Sequence, residues 1–309
     1  MPPKILVICG PTASGKSALA LRLAEELDAE IINADSMQIY RGMDIGTAKP
    51  SAEERARIPH HLIDIADPDQ SFSAADFAEA ADEAIRDISS RGKRSIVAGG
   101  TGLYIRALMK GLVDSPGGAE SFRQTLHEEA RSLGNEYLLE RLRRVDPELA
   151  ARLHPNNLPR IIRALEVHHL TGIPLSQQQQ DHGFSEQRYR TLQIGLRVDR
   201  TTLYRRIDER VDRMLSDGLL DEVRWLQTAG YDRGSKAMRS IGYKEAGAFL
   251  SGEYPLEEAR RLIQRNTRHY AKRQLTWFNA DKDILWLEYP EKFDILLKNA
   301  IDFFEHGEA

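Results

Sequence analysis

A glycine-rich segment directly after the first apolar run constrains the fold of this chain more than any other feature. Residues 10–17 read GPTASGKS and match the phosphate-binding pattern GxxxxGK[ST]. The apolar run Ile5–Cys9 before them predicts a buried strand, and the spacing of Leu19, Leu23 and Leu27 after them predicts a helix. A glycine-rich turn between a strand and a helix points its backbone N–H groups at an anion. The segment therefore predicts a polyphosphate site, with a chance glycine turn as the alternative.

Two further apolar runs continue the alternation of strands and helices. Glu30–Ala34 and Ser95–Ala98 are typical of buried strands, and between them Ser73 and Asp76 form the capping-box pattern of a helix start. Strands that alternate with helices predict a parallel sheet. The expected fold class is therefore α/β, with a parallel core similar to that of P-loop NTPases.

The middle of the chain interrupts this pattern. Residues 119–170 have helical spacing with no convincing strand, and Gln177–Gln180 is expected to be a solvated loop. Strands return at Leu192–Val198 and Ile284–Leu287, with a helix at Leu203–Leu215. The domains expected are an α/β core of residues 1–114 and 191–309, and a helical insertion of residues 115–190.

Composition excludes several classes of protein. Among the 309 residues there is one cysteine, Cys9, which excludes an intramolecular disulfide framework and a cysteine-based zinc site. Apolar stretches of membrane-spanning length do not occur. The net charge of −4 does not indicate nucleic-acid binding by itself, although a basic groove can exist on an acidic protein. A cytoplasmic protein is expected.

Polar residues follow the second and third predicted strands. Asp35 and Thr101 lie where those strands end, and the carboxyl ends of parallel strands share one crevice. The Asp35 carboxylate suits a metal ligand, a general base or a helix cap. The Thr101 hydroxyl suits a substrate contact or a helix cap. An acidic residue at the end of the third strand, common in motor and switch ATPases, is absent, which argues against those classes.

A basic segment lies near the carboxyl terminus. Residues 259–280 contain six Lys or Arg and no Asp or Glu, and Arg261, Arg265, Arg268 and Lys272 fall on one helical face. Aromatic residues occur in the same segment, and basic residues beside aromatics suit RNA. The alternative is an ordinary solvated helix face.

Six motifs, in order along the chain, together resemble the tRNA dimethylallyltransferase family, which prenylates N6 of adenosine 37 beside the anticodon. The segments that carry the resemblance are Gly10–Ser17, Asn33–Pro50, Ala98–Tyr104, His154–Val167, Arg239–Glu245 and Ala271–Phe278. With one cysteine, the chain lacks the zinc finger of many eukaryotic members and looks like the bacterial type.

The resemblance implies roles for individual residues. The diphosphate of dimethylallyl diphosphate would bind to Gly10, Pro11, Thr12, Ala13, Ser14, Gly15, Lys16 and Ser17, with Ser17 as a ligand of the cofactor Mg²⁺. Asp35 would be the general base, and Lys16 and Thr101 would also be catalytic. Contacts to tRNA would come from Asp35, Ser36, Met37, Gln38, Thr101, Arg123, Pro159, Arg160, Ile161, Ile162 and Arg163. Many family members carry Gln where Pro159 stands. The expected partners are the anticodon stem-loop and dimethylallyl diphosphate, with no membrane, and the chain is expected to be a monomer.

Three other functions are compatible with some of these features. An adenylate isopentenyltransferase shares the glycine-rich loop and Asp35, but a free nucleotide requires neither the insertion nor the basic segment. A small-molecule or nucleotide kinase would hold ATP in the loop and orient an acceptor hydroxyl with Asp35. A non-catalytic RNA-binding module would bind tRNA without turnover.

Overall fold

The structure is a computed structural model that describes residues 2–113, 118–184 and 188–305. Its first elements are β1 Lys4–Cys9, α1 Lys16–Leu27, β2 Ala29–Asn33, α2 Ala52–Arg57, β3 His60–His61, α3 Ala74–Ser90, β4 Arg94–Gly99 and α4 Gly102–Lys110. Five helices follow: α5 Glu120–Leu133, α6 Asn135–Val145, α7 Pro147–Ala151, α8 Leu158–Thr171 and α9 Leu175–His182. The last elements are β5 Arg190–Leu196, α10 Arg200–Ser216, α11 Leu219–Thr228, α12 Tyr243–Leu250, α13 Leu256–Phe278, β6 Ile284–Leu287 and α14 Phe293–Glu305.

The chain divides into two compact units. Unit 1 comprises Met1–Met109 and Gln187–Ala309, and unit 2 comprises Lys110–Glu186. The boundaries expected from the sequence, 114/115 and 190/191, lie within a few residues of this division. Residues 114–117 and 185–187 lie outside the described ranges, so the exact boundaries stay a prediction.

Unit 1 is built on a six-stranded sheet whose described pairings are all parallel, which confirms the expected α/β fold. The strand order is β3-β2-β4-β1-β5-β6. Successive residues of β1 point to opposite faces, so Leu6 and Ile8 pack with α1 and α14, whereas Ile5 and Val7 pack with α3 and α4. Helices on both faces bury the sheet, which explains the uninterrupted apolar runs of its central strands.

The register brings the carboxyl ends of three central strands to one level. Cys9 at the end of β1 pairs with Gly99 of β4, and Asn33 at the end of β2 pairs with Ala98. The three segments that follow, which begin at Gly10, Ala34 and Gly100, therefore leave the sheet at the same edge. Parallel α/β sheets bind ligands at this edge.

The regular elements of unit 2 in its described residues are all helices. Leu126 of α5, Leu138 and Leu142 of α6, and Ile161 and Leu165 of α8 share one buried apolar cluster. The helical spacing of these residues follows the pattern expected for residues 119–170.

The prediction of a loop at Gln177–Gln180 is wrong, because these residues lie in α9. The first turn of this helix is fixed by the buried carboxylate of Asp146, which accepts hydrogen bonds from the backbone N–H and the hydroxyl of Ser176. The amide of Gln178 donates to the Thr171 hydroxyl, and that of Gln180 donates to Glu148. These partners lie outside the glutamine tract, so its composition alone could not reveal the helix.

The carboxyl end of β4 has no room for a side chain at Gly99. A Cβ there would overlap the carbonyl of Ala34, which belongs to the neighbouring backbone and cannot move independently. We expect Gly99→Ala to lower the free energy of unfolding by about 1–3 kcal/mol. Gly247→Ala is the matched control, because its Cβ would meet only atoms of the flexible side chains of Gln227 and Arg233. Gly247 also lies inside α12, and alanine is favoured over glycine in a helix. Denaturant unfolding checks both, and equal stabilities for the two variants would contradict the expectation.

Candidate functional site at the sheet edge

The segment between β1 and α1 is a tight turn that leads to the backbone N–H groups at the start of α1. Gly10 has φ 145° and Gly15 has φ 97°, values that other residues rarely adopt. Gly15 precedes α1 and supplies no capping side chain, so the first N–H groups of α1 have no side-chain partner from the cap. An anion is attracted to such a helix start by these donors and by the helix dipole.

Lys16 begins α1 and lies against this turn. Its ammonium group donates a hydrogen bond to the carbonyl of Pro11, at 3.3 Å. Burial lowers the pKa of Lys16 to about 8; the Asp35 charge partly offsets this effect and the Arg210 charge adds to it. The Lys16 charge therefore becomes more favourable when an anion enters the site.

A cavity of about 410 Å³ adjoins the turn, and every charged side chain that lines it in the described chain is basic. These side chains are Lys16, Arg206, Arg210 and Arg213. The three arginines are spaced i, i+4 and i+7 on α10, so they share the helix face that points toward the turn. The cavity is thus suited to a group with several negative charges, such as a diphosphate.

Arg210 also contacts the backbone of a loop in unit 1. One of its guanidinium nitrogens donates to the carbonyl of Thr47, at 3.3 Å, and burial lowers its pKa. The sequence contained a sign of this role, because Arg206 and Arg210 are one turn apart. Acidic residues between them obscured it, and Arg213 carried no signal of its own.

The segment after β2 places Asp35 close to the same cavity. The charge of Asp35 raises the pKa of both Lys16 and Arg210, in each case against the larger effect of burial. One oxygen of the Asp35 carboxylate accepts a hydrogen bond from the backbone N–H of Met37, at 2.9 Å. That bond fixes the orientation of the carboxylate.

The neighbours of Asp35 have different surroundings. The backbone N–H of Ser36 donates to the Thr101 hydroxyl, at 3.0 Å, so the segments after β2 and β4 are joined directly. Met37 is half-buried against an apolar cluster. Gln38 is buried, and its amide donates to the carbonyls of Thr47 and Ala48.

Gln274 of α13 links the two glycine-containing turns. Its amide oxygen accepts a hydrogen bond from the backbone N–H of Thr12, at 2.8 Å, and its amide nitrogen donates to the carbonyl of Gly100, at 2.9 Å. A Cβ at Gly100 would overlap this amide nitrogen. Sequence reasoning missed Gln274, because its partners are as far as 262 residues away along the chain.

Tyr270 lies one turn before Gln274. Burial and the nearby Asp35 charge raise the pKa of its hydroxyl. Hydrogen bonds with Thr101 and Gln274 offset part of this increase. The hydroxyl therefore stays protonated and can donate. Asp35, Thr101, Tyr270 and Gln274 form one polar group between the turn after β1 and the turn after β4.

The structure separates the residues of the basic stripe on α13. Arg268 pairs with Asp208 of α10 and stacks over Tyr204, while Arg261 pairs with Glu258 of its own helix. Arg265 and Lys272 are exposed. Arg268 therefore helps to hold α13 against α10, and a role of the stripe in RNA binding stays a prediction.

The residues of unit 2 predicted to contact tRNA lie on α5 and α8. Pro159 occupies the first turn of α8, where its missing N–H costs no helical hydrogen bond. Arg160 is exposed, whereas Ile161 and Ile162 are buried in the apolar cluster. Arg123 and Arg163 are each about 40% exposed and each pairs with Glu166.

The described residues contain no group of three or more His, Cys, Asp and Glu side chains that could hold a metal ion. The Ser17 hydroxyl is exposed at the cavity beside the turn. Mg²⁺ commonly keeps several waters and binds through substrate phosphates with few protein ligands. The site therefore fits Mg²⁺ that arrives with a diphosphate. No described helix is long and apolar enough to cross a bilayer.

The lowered pKa of Lys16 predicts a pH dependence of diphosphate binding. Below about pH 8 Lys16 is charged and attracts diphosphate, and above it binding must be accompanied by proton uptake. We expect the Kd for inorganic diphosphate to rise by up to about tenfold per pH unit above pH 8. Lys16→Arg, which keeps its charge, should show a flatter profile even if it binds more weakly. Calorimetric titration at pH 7 to 9.5 measures this, and identical slopes for both proteins would contradict it.

The Gln274 bridge predicts a coupling of stability and catalysis. Gln274→Leu keeps the side-chain volume but leaves the Thr12 N–H and the Gly100 carbonyl without this partner, so we expect unfolding to require about 1–3 kcal/mol less. We also expect a higher KM for the diphosphate substrate and a lower kcat, because both turns lose their common support. Gln264→Leu, a half-exposed position on the same helix, is the control and should change neither constant. Denaturant unfolding and steady-state kinetics measure the two effects.

Comparisons with known proteins agree with this geometry. The family model described as IPP transferase matches residues 38–281. The chain is 67% identical over 303 residues to tRNA dimethylallyltransferase 1 of Pelobacter propionicus, with 98% of each chain covered. It is 41% identical to the solved full-length tRNA isopentenylpyrophosphate transferase of Bacillus halodurans, with 98% of this chain and 97% of that one covered and a TM-score of 0.71. A eukaryotic dimethylallyltransferase solved acting on tRNA matches with 29% identity and a TM-score of 0.80, over 98% of this chain and 80% of that one. This chain therefore belongs to the IPP transferase family, together with the tRNA dimethylallyltransferases.

Proposed function

We propose that this protein transfers the dimethylallyl group of dimethylallyl diphosphate to N6 of adenosine 37 in tRNA and releases diphosphate. The observation that carries the proposal is the cavity beside the first turn. Its charged lining is entirely basic in the described chain, and Asp35 lies close to it in the segment that follows β2. One side of the site is suited to a diphosphate leaving group, and the other offers a proton acceptor.

The binding of the donor follows from the positions of the basic groups. The N–H groups of residues 10–17, together with Lys16 and Arg210, would hold the diphosphate. Ser17 would ligate Mg²⁺, which neutralises part of the phosphate charge when bound. As the allylic C–O bond breaks, negative charge grows on the leaving oxygen, and these fixed cations stabilise it.

The acceptor side requires a base, because the N6 lone pair is delocalised into the purine ring. N6 forms a bond to the allylic carbon, the electrons of the C–O bond leave with diphosphate, and Asp35 takes the N6 proton. The hydrogen bond from Met37 holds the Asp35 carboxylate in place. Thr101, joined to Ser36 and adjacent to Tyr270, would contact the target base.

RNA recognition would involve both units of the chain. In unit 1 the segment Asp35–Gln38 would contact the RNA, and in unit 2 Arg123, Arg160 and Arg163 would contact it, with Ile161 and Ile162 fixing the helix that carries the last two. Adenosine 37 must leave its stack to reach a base acceptor, at a cost of a few kcal/mol that contacts elsewhere offset. We also propose that the protein acts on tRNA as a monomer and in the cytoplasm.

Mass spectrometry of an unmodified anticodon stem-loop tests the proposal. The RNA is incubated with dimethylallyl diphosphate, Mg²⁺ and the protein, with AMP as a parallel acceptor. One prenyl addition on the adenosine that follows the anticodon is expected. Prenylated AMP with unmodified RNA would instead indicate an adenylate isopentenyltransferase. RNA binding without any prenyl product would indicate a non-catalytic module, and ATP-dependent phosphorylation of an acceptor would indicate a kinase.

The assignment of Asp35 as the base predicts a selective loss of rate. Asp35→Asn should lower the single-turnover rate by about 10²- to 10⁴-fold while donor affinity changes little. Asp69→Asn, the same substitution at an exposed position of unit 1, is the matched control and should react at the normal rate. Rapid-quench measurement at saturating RNA and donor provides the rate. An unchanged rate for Asp35→Asn would remove Asp35 from this role.

A further inference from the structure

Unit 2 contains a fully buried carboxylate that is paired with two arginines from different helices. Glu166 of α8 has no exposed surface. One of its oxygens accepts a hydrogen bond from Arg163, one turn earlier on the same helix, at 2.7 Å. Its other oxygen lies 3.4 Å from the Nε atom of Arg123 on α5. Glu166 thus connects the arginine-bearing faces of two helices.

This arrangement is costly for folding alone. Removing a carboxylate from water is unfavourable, and a buried ion pair contributes little net stability compared with apolar residues of the same volume. Glu166 lies among the apolar residues of α8, where Ile162, Leu165 and Val167 are also buried. The benefit of the pair is therefore geometric, because it fixes the direction of two guanidinium groups that are each about 40% exposed.

Arg123 also has a second carboxylate partner of opposite character. Glu120, one turn earlier on α5, pairs with the same guanidinium, but its side chain is 77% exposed. Exposed pairs of this kind contribute little to stability and exchange readily with other ions. Arg123 therefore has one buried carboxylate partner, Glu166, and one solvent-exposed partner, Glu120.

The surroundings of the pair also suit RNA. Phe122, the neighbour of Arg123, stacks on His169 of α8 with ring centroids 4.0 Å apart. The guanidinium group of Arg141 on α6 lies over the Phe122 ring, at 5.6 Å from its centroid. Phe122 supports the His169 ring, which is exposed, and a flat exposed ring beside oriented guanidinium groups can contact both the bases and the phosphates of single-stranded RNA.

We propose that Glu166 is a positioning residue for RNA binding: it holds Arg123 and Arg163 in the orientation that receives RNA phosphates, while Glu120 occupies Arg123 until a phosphate displaces it. This inference rests on the proposed function, since it assumes that unit 2 binds tRNA. Glu166 itself does not touch the RNA. It acts through the two arginines.

Two substitutions with the same change of charge distinguish this role from a general electrostatic effect. Glu120→Gln and Glu166→Gln each remove one negative charge beside Arg123. If only the summed charge mattered, both variants would bind RNA more tightly. The positioning role requires opposite results: Glu120→Gln should tighten binding by about twofold, since a weak competitor is removed, whereas Glu166→Gln should weaken it by about fivefold or more.

The experiment measures the affinity of the full-length variants for the anticodon stem-loop at several salt concentrations. For Glu166→Gln we expect the dependence of log K on log salt to become shallower by about 0.7–0.9 for each RNA phosphate that the arginines no longer bind. The KM for RNA should rise, while kcat at saturating RNA and the KM for dimethylallyl diphosphate should stay unchanged. A general loss of structure would not produce this separation, and circular dichroism provides the check on folding.

A second set of variants keeps the proposal testable if Glu166→Gln does not fold. Glu166→Asp retains the charge but shortens the side chain. If Glu166→Gln folds, Glu166→Asp should weaken RNA binding less than Glu166→Gln does. If Glu166→Gln does not fold, Glu166→Asp should weaken RNA binding by a smaller factor than Arg123→Ala. In the background of Arg123→Ala with Arg163→Ala, removal of the Glu166 charge should cause no further loss of RNA affinity. A further loss in that background, or unchanged or tighter binding by folded Glu166→Gln, would overturn the proposal.

The same experiment separates this proposal from the proposed function. If the unaltered protein does not prenylate the stem-loop, the proposed function fails. If it does so and Glu166→Gln binds RNA equally well, only the role of Glu166 fails.

Discussion

The parallel register of β2, β4 and β1 is the constraint on which the candidate site depends. Because Cys9 pairs with Gly99 and Asn33 with Ala98, three segments leave the sheet at one edge. The first carries the glycine-rich turn of residues 10–17, the second carries Asp35 and the third carries Thr101. A register shift of one residue in any strand would turn its side chains to the opposite face and separate these groups. The close packing of Gly99 against the Ala34 carbonyl favours this register over a shifted one.

Helix α13 gives this edge its second support. Gln274 joins the turn after β1 to the turn after β4, and Tyr270 adds a protonated hydroxyl near Thr101 and Asp35. The same helix is tied to α10 by the pair of Arg268 with Asp208. Since α10 carries the arginines of the cavity, one pair of packed helices supports both the cavity and the polar group around Thr101.

The electrostatics of the two units follow a common principle. In unit 1, burial makes the charge of Lys16 unfavourable and the Asp35 charge compensates only in part, so the site favours an anionic ligand. In unit 2, the buried Glu166 fixes two arginines that remain partly exposed. Both places present basic groups, and in the cavity of unit 1 their charge is only partly neutralised by protein groups. Such cations favour phosphate ligands, because the ligand supplies the missing counter-charge.

Local patterns in the sequence determined the elements with local causes. The strand before residues 10–17, the helix after them and the capping box of Ser73 with Asp76 depend on neighbours within a few residues, and these three predictions are confirmed. The ordered motifs also identified the family. The tertiary structure alone decided the helix at Gln177–Gln180, the position of Arg210 and Arg213 at the cavity, the bridge by Gln274 and the pairing of Glu166 with Arg123. The physical reason is that each of these depends on a partner from another element. The sequence around a residue does not show which distant residue it contacts after folding.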